Sequence, residues 1–226
     1  MRRVVGLVTI GQSPREDVVP DVAAVLGPAV DIVEAGALDG LPRSEIERLA
    51  PRDDDEVLVT RLVDGTPVFV GKERIVGRVE GAIATVERAG ATVTILLCTG
   101  AFPRLAARRP LVQPQPVLLG ALRGLVWPGR LGIVAPSTRH VPQTEARWRA
   151  DGFDPVVVAL SPYEAQDPDA LPRLAARLRD AACGLVVMDC MGFRCKTRDD
   201  LQATMRVPVL LAPLLVARVA AELCGA

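Results

Sequence analysis

Short apolar runs alternate with longer amphipathic stretches along this chain. Continuous apolar runs are typical of strands buried in parallel sheets, and the amphipathic stretches between them are typical of the helices that connect such strands. The pattern predicts strands at residues 4–10, 30–35, 92–98, 130–135, 155–160, 185–190 and 207–211. It predicts helices at residues 16–26, 43–50, 72–89, 118–125, 142–151, 168–182, 198–205 and 214–224. We therefore expect an α/β fold.

One segment departs from this alternation. Residues 56–71 contain two β-rich runs on either side of Asp64-Gly65, a pair that favours a tight turn between antiparallel strands. We expect a small antiparallel excursion at this place in the chain.

The two halves of the chain resemble each other. Val5-Gly6-Leu7-Val8 and Leu131-Gly132-Ile133-Val134 each lead into a turn of small residues and then into a helix. Each half later has a strand that is followed by a cysteine, in Cys98-Thr99-Gly100 and in Cys190-Met191-Gly192. The proline-rich residues 108–116 lie between the halves and are typical of a linker. The sequence predicts two pseudo-symmetric lobes, each a mostly parallel sheet flanked by helices, with a cleft between them.

Composition and charge exclude several classes of partner. Half of the 226 residues are apolar and only 3% are aromatic, so the core is built from aliphatic side chains. The 27 basic and 27 acidic residues cancel, which removes the electrostatic signature of nucleic-acid or anionic-membrane binding. No apolar run reaches the roughly 20 residues of a membrane span. Five cysteines and one histidine without zinc-site spacing suggest free thiols, no metal and a cytoplasmic location.

The candidate site lies at the carboxyl ends of the strands, where ligands bind in open parallel sheets. Small and polar residues follow four of the strands there, and two of these segments carry a thiol that could exchange a proton, Cys98 and Cys190. The candidates for substrate contact are Gly11, Gln12, Ser13, Arg15, Thr99, Gly100, Ser137, Thr138, Met191 and Gly192. Neither a dinucleotide-binding nor a P-loop glycine motif is present, so we expect no cofactor.

The remaining thiols and the histidine allow more than one interpretation. Cys183 and Cys224 fall on predicted helix faces and are expected to pack there. Cys195 is either a surface residue, an exposed thiol of lowered pKa or the partner of Cys190 in a redox pair. His140 follows a turn near a predicted helix start, so it either reaches the cleft or is solvated.

The segments 8–15, 97–100 and 188–192 closely resemble those of the AroM family of bacterial proteins, and the similarity spans the whole chain. More distantly, the chain resembles the aspartate/glutamate/hydantoin racemase superfamily, whose members have two pseudo-symmetric α/β lobes with one cysteine from each lobe facing the cleft. The resemblance implies that Cys98 and Cys190 occupy these paired positions and that the neighbouring turns hold a substrate carboxylate.

The same resemblance implies that the helix at 214–224 crosses back to the first lobe, which then comprises residues 1–113 plus 213–226, with residues 114–212 as the second lobe. Racemases of this type usually have Asn-Thr and Thr-His after their two cysteines. This chain has Thr99-Gly100 and Met191-Gly192 instead. The difference argues against aspartate or glutamate as the substrate.

These observations predict a cofactor-independent racemase or isomerase that acts α to a carboxylate on a small molecule. One thiolate removes the proton and the opposite thiol returns one, with loop amides lowering the thiol pKa modestly. The alternatives are a lyase or decarboxylase with one cysteine as proton donor, and a non-catalytic sensor that closes on a small carboxylate. The expected partner is a small carboxylate-like molecule rather than a nucleic acid or a membrane, and association into a homo-oligomer stays open.

Overall fold

The computed structural model describes residues 3–53, 55–164 and 167–225. Within these residues, ten strands form two parallel four-stranded sheets and one antiparallel hairpin. The first sheet contains β1 (Arg3–Thr9), β2 (Val30–Gly36), β5 (Val93–Leu97) and β6 (Leu111–Val112). The second contains β7 (Arg130–Ala135), β8 (Pro155–Ala159), β9 (Cys183–Met188) and β10 (Val209–Leu211). The hairpin consists of β3 (Val57–Arg61) and β4 (Pro67–Gly71).

Helices cover the sheets and join their strands. They are α1 (Val19–Leu26), α2 (Arg43–Arg48), α3 (Lys72–Arg88), α4 (Pro114–Arg123), α5 (Val141–Ala150), α6 (Ala170–Asp180), α7 (Cys195–Met205) and α8 (Ala212–Cys224). A short 3-10 helix, Thr138–His140, precedes α5. Among the described residues, no helix is both long and apolar enough to cross a membrane.

The two sheets have equivalent strand orders. The first runs β2-β1-β5-β6, and the second, read in the matching direction, runs β8-β7-β9-β10. In both, the strand that opens the half is paired with the strand that precedes the cysteine, β1 with β5 and β7 with β9. The predicted α/β fold with two similar parallel sheets is confirmed.

The alternation of side chains along β1 shows where the core lies. Val5 and Leu7 belong to a core shared with Ile133 and Val187 of the second sheet. Val4, on the opposite face, packs in an outer core with α3. Four helices, α1, α4, α5 and α8, contribute to the shared core, so the two sheets are joined by apolar packing.

Three local predictions need correction. The proline-rich segment is not an open linker, because Leu111–Val112 adds an edge strand to the first sheet and α4 begins at Pro114, where the missing N–H of proline costs nothing. Helix α1 begins at Val19 rather than at residue 16, after a turn in which the carbonyl of Arg15 accepts hydrogen bonds. Cys183 is the first residue of β9 and not part of a helix.

Candidate active site

The thiols of Cys98 and Cys190 lie at equivalent places in the two sheets. Cys98 directly follows β5, and Cys190 follows β9 after one intervening residue, Asp189. Both are buried, at 8% and 7% exposure, and both line one cavity of about 40 Å³. That volume accommodates a few water molecules or a small polar ligand.

The two thiols are held by the same local turn. The backbone N–H of Gly100 donates to Sγ of Cys98 at 3.4 Å, and the N–H of Gly192 donates to Sγ of Cys190 at 3.4 Å. A side chain at position 192 would collide with Tyr163, because a Cβ there would lie 2.5 Å from its hydroxyl oxygen. Glycine at this position therefore allows the tyrosine to approach Cys190.

Burial dominates the acidity of both thiols. Desolvation raises the pKa of Cys98 to about 12 and that of Cys190 to about 11. The glycine N–H bonds lower these pKa values, but by less than burial raises them. The expectation that loop amides give a lowered thiol pKa is therefore wrong, and both thiols are protonated at neutral pH.

Cys190 has additional polar neighbours. The hydroxyl of Tyr163 lies 3.9 Å from its sulfur, and the guanidinium of Arg15 donates to that hydroxyl at 3.4 Å. Burial, and to a smaller extent the neighbouring Cys190, raise the pKa of Tyr163 well above its ordinary range, so the phenol is neutral. The second thiol is thus part of a polar chain that Cys98 lacks among the described residues.

Arg15 is 3% exposed and its charge is compensated locally. It makes two hydrogen bonds of 2.8 Å to the carboxylate of Asp17 and one of 2.9 Å to Oγ1 of Thr9. Burial alone would lower the pKa of Arg15, but Asp17 and Tyr163 outweigh it and keep the guanidinium charged. Arg15 lines the cavity, but its charge is directed to Asp17.

Asp189 connects the two sides of the cavity. Its carboxylate accepts hydrogen bonds from Arg147 at 2.5 Å and from the indole N–H of Trp148 at 2.8 Å. Its backbone carbonyl accepts from Oγ1 of Thr99 at 3.0 Å, and Arg147 also donates to the carbonyl of Thr99 at 3.0 Å. The turns that carry the two cysteines are therefore bonded directly to each other.

The hairpin forms a wall of the cavity through Leu58, Val59 and Thr60. The amide of Gln143 on α5 fixes it by two bonds to Val57, accepting from the N–H at 3.2 Å and donating to the carbonyl at 2.7 Å. This small antiparallel excursion therefore contributes to the site as well as to the fold.

Several buried polar atoms of the wall have no hydrogen-bond partner among the described residues. They are Thr60 Oγ1, His140 Nε2, Arg147 Nε and Asp189 Oδ1, and all four residues line the cavity. Buried polar atoms are usually paired, since leaving one unpaired costs about 1–3 kcal/mol. A wall with both unpaired donors and unpaired acceptors is suited to a polar ligand.

The structure brings together only part of the set of residues predicted from the sequence. Those that line the cavity are Cys98, Cys190, Arg15, Thr99, Gly100 and Met191, and Gly192 contributes its N–H to Cys190. Those that do not line it are Gly11, Gln12, Ser13, Ser137 and Thr138.

The polar groups of these five residues are engaged elsewhere or face solvent. The N–H and hydroxyl of Ser13 both bind Asp39, at 2.8 and 2.6 Å. The side chain of Gln12 contacts the backbone of Leu38 and of Val63. The hydroxyl of Ser137 lies 2.7 Å from Nδ1 of His140, while Thr138 is exposed.

Three cavity residues lie on one face of α5 and its 3-10 extension and were missed by the sequence analysis as a group. His140, Thr144 and Arg147 follow the spacing of three to four residues that places side chains on one helix face. Because this face has no apolar stripe, the hydrophobic pattern gave no signal for it, but the spacing itself was available. Tyr163, in the loop after β8, had no such signal.

The other cysteines lie outside the cavity. Cys195 begins α7, and its N–H donates to Asp21 at 3.0 Å. Burial and the neighbouring Asp21 raise the pKa of Cys195, which argues against the low-pKa thiol considered above. Cys224 lies on α8, as expected.

The fold is similar to several solved structures. Unliganded arylmalonate decarboxylase matches with a TM-score of 0.64 and 16% identity, over 99% of this chain and 93% of that one. Allantoin racemase from Klebsiella pneumoniae matches with a TM-score of 0.63 and 15% identity, over 99% and 88%. Picrophilus torridus aspartate racemase matches with a TM-score of 0.63 and 12% identity, over 99% and 94%. At these identities the similarity establishes the fold alone.

Among curated proteins, no sequence matches this chain significantly. The family described as AroM protein matches residues 5–224, which includes both Cys-X-Gly turns, the hairpin and all the strands after the first two residues of β1. The match covers nearly the whole sequence and includes both thiols, and the chain belongs to the AroM family.

Proposed function

We propose that this protein is a cofactor-independent racemase or isomerase that acts at a carbon α to a carboxylate. The observation that carries the proposal is the pair of equivalent Cys-X-Gly turns, which bring Cys98 and Cys190 from two similar sheets to one polar cavity. Racemases among the proteins of similar fold support it further.

In the proposed reaction the two thiols act on opposite faces of the substrate. The thiolate of one cysteine takes the α-proton, and the electron pair of the C–H bond moves into an enolate. The thiol of the other cysteine then gives its proton to the opposite face of the carbon. Unpaired donors such as Arg147 Nε are available to stabilise the negative oxygen. After the reaction the first cysteine carries a proton and the second is a thiolate, so this form of the protein acts on the opposite enantiomer. Exchange of the proton with solvent restores the original form.

The proposed reaction needs an ionised thiol, and the raised pKa values make this form rare at neutral pH. With a pKa of about 11, only about one Cys190 in ten thousand is ionised at pH 7. The rate constant kcat/KM should therefore rise with pH through the neutral range, because the thiolate fraction rises about tenfold per pH unit.

A single-cysteine decarboxylase is the second candidate. The raised pKa values favour it, because a protonated thiol is a ready proton donor, and Cys190 has Tyr163 and Arg15 beside it. Loss of carbon dioxide leaves the electron pair of the broken C–C bond on the α-carbon. That carbanion takes the thiol proton, and solvent restores the thiol. Its rate should be independent of pH near neutrality and should fall above a pH of about 11.

A panel of small carboxylates and malonates in deuterium oxide, followed by NMR, tests both candidates. Deuterium at the α-carbon with inversion, and a rate that rises with pH, supports the isomerase. Release of carbon dioxide at a rate that does not change with pH near neutrality supports the decarboxylase. Binding without either reaction supports the non-catalytic sensor and contradicts the proposal.

Variants of the thiols sharpen the assay. Cys98→Ser and Cys190→Ser should each abolish inversion, because a hydroxyl is far too weak an acid to replace the thiol. In the decarboxylase only Cys190→Ser should be inactive. Cys224→Ser, which changes a thiol on α8 away from the cavity, is the matched control and should keep its activity. Full inversion by both cavity variants would contradict the two-thiol reaction.

A further inference from the structure

His140 is the single histidine of the chain, and the proposed two-thiol reaction gives it no role. It ends the 3-10 helix Thr138–His140, directly before α5. Its side chain belongs to the wall of the cavity that contains both thiols, and the residue is 4% exposed. A buried imidazole at such a place has either a structural or a ligand-directed function.

The contacts that orient the imidazole involve Nδ1 and one face of the ring. Nδ1 lies 2.7 Å from Oγ of Ser137, and the ring stacks on Phe69 of the hairpin with centroids 6.0 Å apart and planes inclined by 29°. These contacts fix the orientation of the imidazole. They leave Nε2 buried and without a hydrogen bond of good geometry among the described residues. The carbonyl of Val57 is near enough to raise the pKa of the ring, but it already accepts a hydrogen bond from Gln143 at 2.7 Å. A purely structural histidine would be expected to pair both ring nitrogens.

The imidazole is neutral at physiological pH. Burial, together with the charges of Arg139 and Arg147, lowers its pKa to about 4, and this outweighs Asp189 and the backbone of Val57, which act in the opposite direction. A neutral ring carries one proton, and a hydroxyl that donates to Nδ1 places that proton on Nε2. Such a neutral Nε2–H can donate a hydrogen bond to an oxygen anion.

Neutrality suits a site that contains a thiolate during turnover. An imidazolium with a pKa of about 4 would transfer its proton to a thiolate with a pKa of about 11. A neutral N–H stabilises a developing oxyanion without quenching the thiolate base.

We propose that His140 is a substrate-binding residue that donates a hydrogen bond from Nε2–H to the substrate oxygen that becomes negative in the enolate, with Ser137 holding the tautomer. This proposal rests on the proposed function for the identity of the ligand, a small carboxylate. It assigns Ser137 a positioning function, although the hydroxyl does not itself line the cavity.

Nitrogen-15 NMR of the imidazole tests the proposal directly, because the chain contains no other histidine. The probes are sodium malonate and sodium lactate, added to the wild-type protein at neutral pH. We expect the Nε2 resonance to show a protonated nitrogen, to shift on addition of a probe, and its proton to exchange more slowly with water. The amide resonances of Gly100 and Gly192 report binding independently of the histidine.

The outcomes separate this inference from the proposed function. If the amides of Gly100 and Gly192 shift while the imidazole nitrogens do not, the cavity binds carboxylates and the function of His140 is refuted. If neither set shifts with either probe, both the ligand class and the assignment of His140 are wrong.

Two variants provide the second test. His140→Gln places an amide N–H near the position of Nε2 and should weaken binding of the probe by less than about threefold. His140→Asn, whose amide is too short to reach that position, should weaken it at least about tenfold, as expected for one lost hydrogen bond to a charged group. Equal affinities of the two variants would overturn the proposal, and circular dichroism shows whether each is folded.

Discussion

Replacing Asp189 by asparagine tests whether the polar bridge between the two cysteine turns stabilises the protein. The carboxylate is fully buried, and its partner Arg147 is 16% exposed, so the variant leaves a nearly buried cation without its counter-charge. Removing one partner of a buried ion pair typically costs about 3–5 kcal/mol. Both donors bind Oδ2 of Asp189, so asparagine keeps an oxygen that can accept from Arg147 and from Trp148. The expected loss therefore lies near the lower end, about 3 kcal/mol.

A loss of this size is measurable without abolishing the fold, since domains are typically stable by about 5–15 kcal/mol. Urea unfolding followed by far-ultraviolet circular dichroism gives the free energy of unfolding, and it avoids the fluorescence of Trp148, which contacts Asp189. Asp154→Asn is the matched control, because Asp154 pairs with Arg130 at 3.0 Å and is 73% exposed. Its loss should be below about 1 kcal/mol. An Asp189→Asn loss no larger than the control would refute the reasoning.

Three further predictions follow from the site. Gly192→Ala should displace Tyr163, lower the free energy of unfolding by about 1–3 kcal/mol in thermal unfolding and reduce turnover. Its control is Gly81→Ala, in the middle of α3 with open space around it, which should raise the free energy of unfolding by about 0.5–1 kcal/mol. The thiol of Cys98 ionises near 9.0 when unfolded and near 12 when buried, so between these pH values the unfolded chain binds fewer protons and stability falls as the pH rises. Urea unfolding at pH 9 and pH 11 should show a larger fall for the wild type than for Cys98→Ala; equal falls would contradict the raised pKa. Gln143→Leu removes both bonds to the hairpin, and hydrogen exchange of the hairpin amides should accelerate about tenfold while the amides of α3 stay unchanged.

The positions of most strands could be predicted from the sequence for a physical reason. A strand buried on both faces must be apolar at nearly every position, as in β5, so its position is visible without knowledge of its neighbours. The hairpin was visible from Asp64-Gly65, which requires a backbone conformation that glycine adopts readily. The edge strand β6 consists only of Leu111 and Val112, in a proline-rich segment, so it is too short to produce a recognisable apolar run in the sequence.

The cavity wall was less predictable because it depends on long-range contacts. The end of a strand places Cys98 and Cys190 at a sheet edge, but nothing local shows that the hairpin would dock against α5 through Gln143. Nor does the sequence show that Asp39 would engage Ser13, which had been expected to face a ligand. Pairings of this kind depend on side chains that are distant in the sequence.

The position of α8 has a consequence for the order in which the protein can fold during synthesis. Val216, Ala217 and Ala220 of this helix pack in the core to which Val5 and Ile95 of the first sheet belong. The ribosome makes β1 and β5 early, but α8 only after the whole second sheet. The apolar surface that α8 covers on the first sheet therefore has no cover from this helix until the second sheet has been made, and apolar surface exposed in this way makes a partly folded chain prone to aggregate.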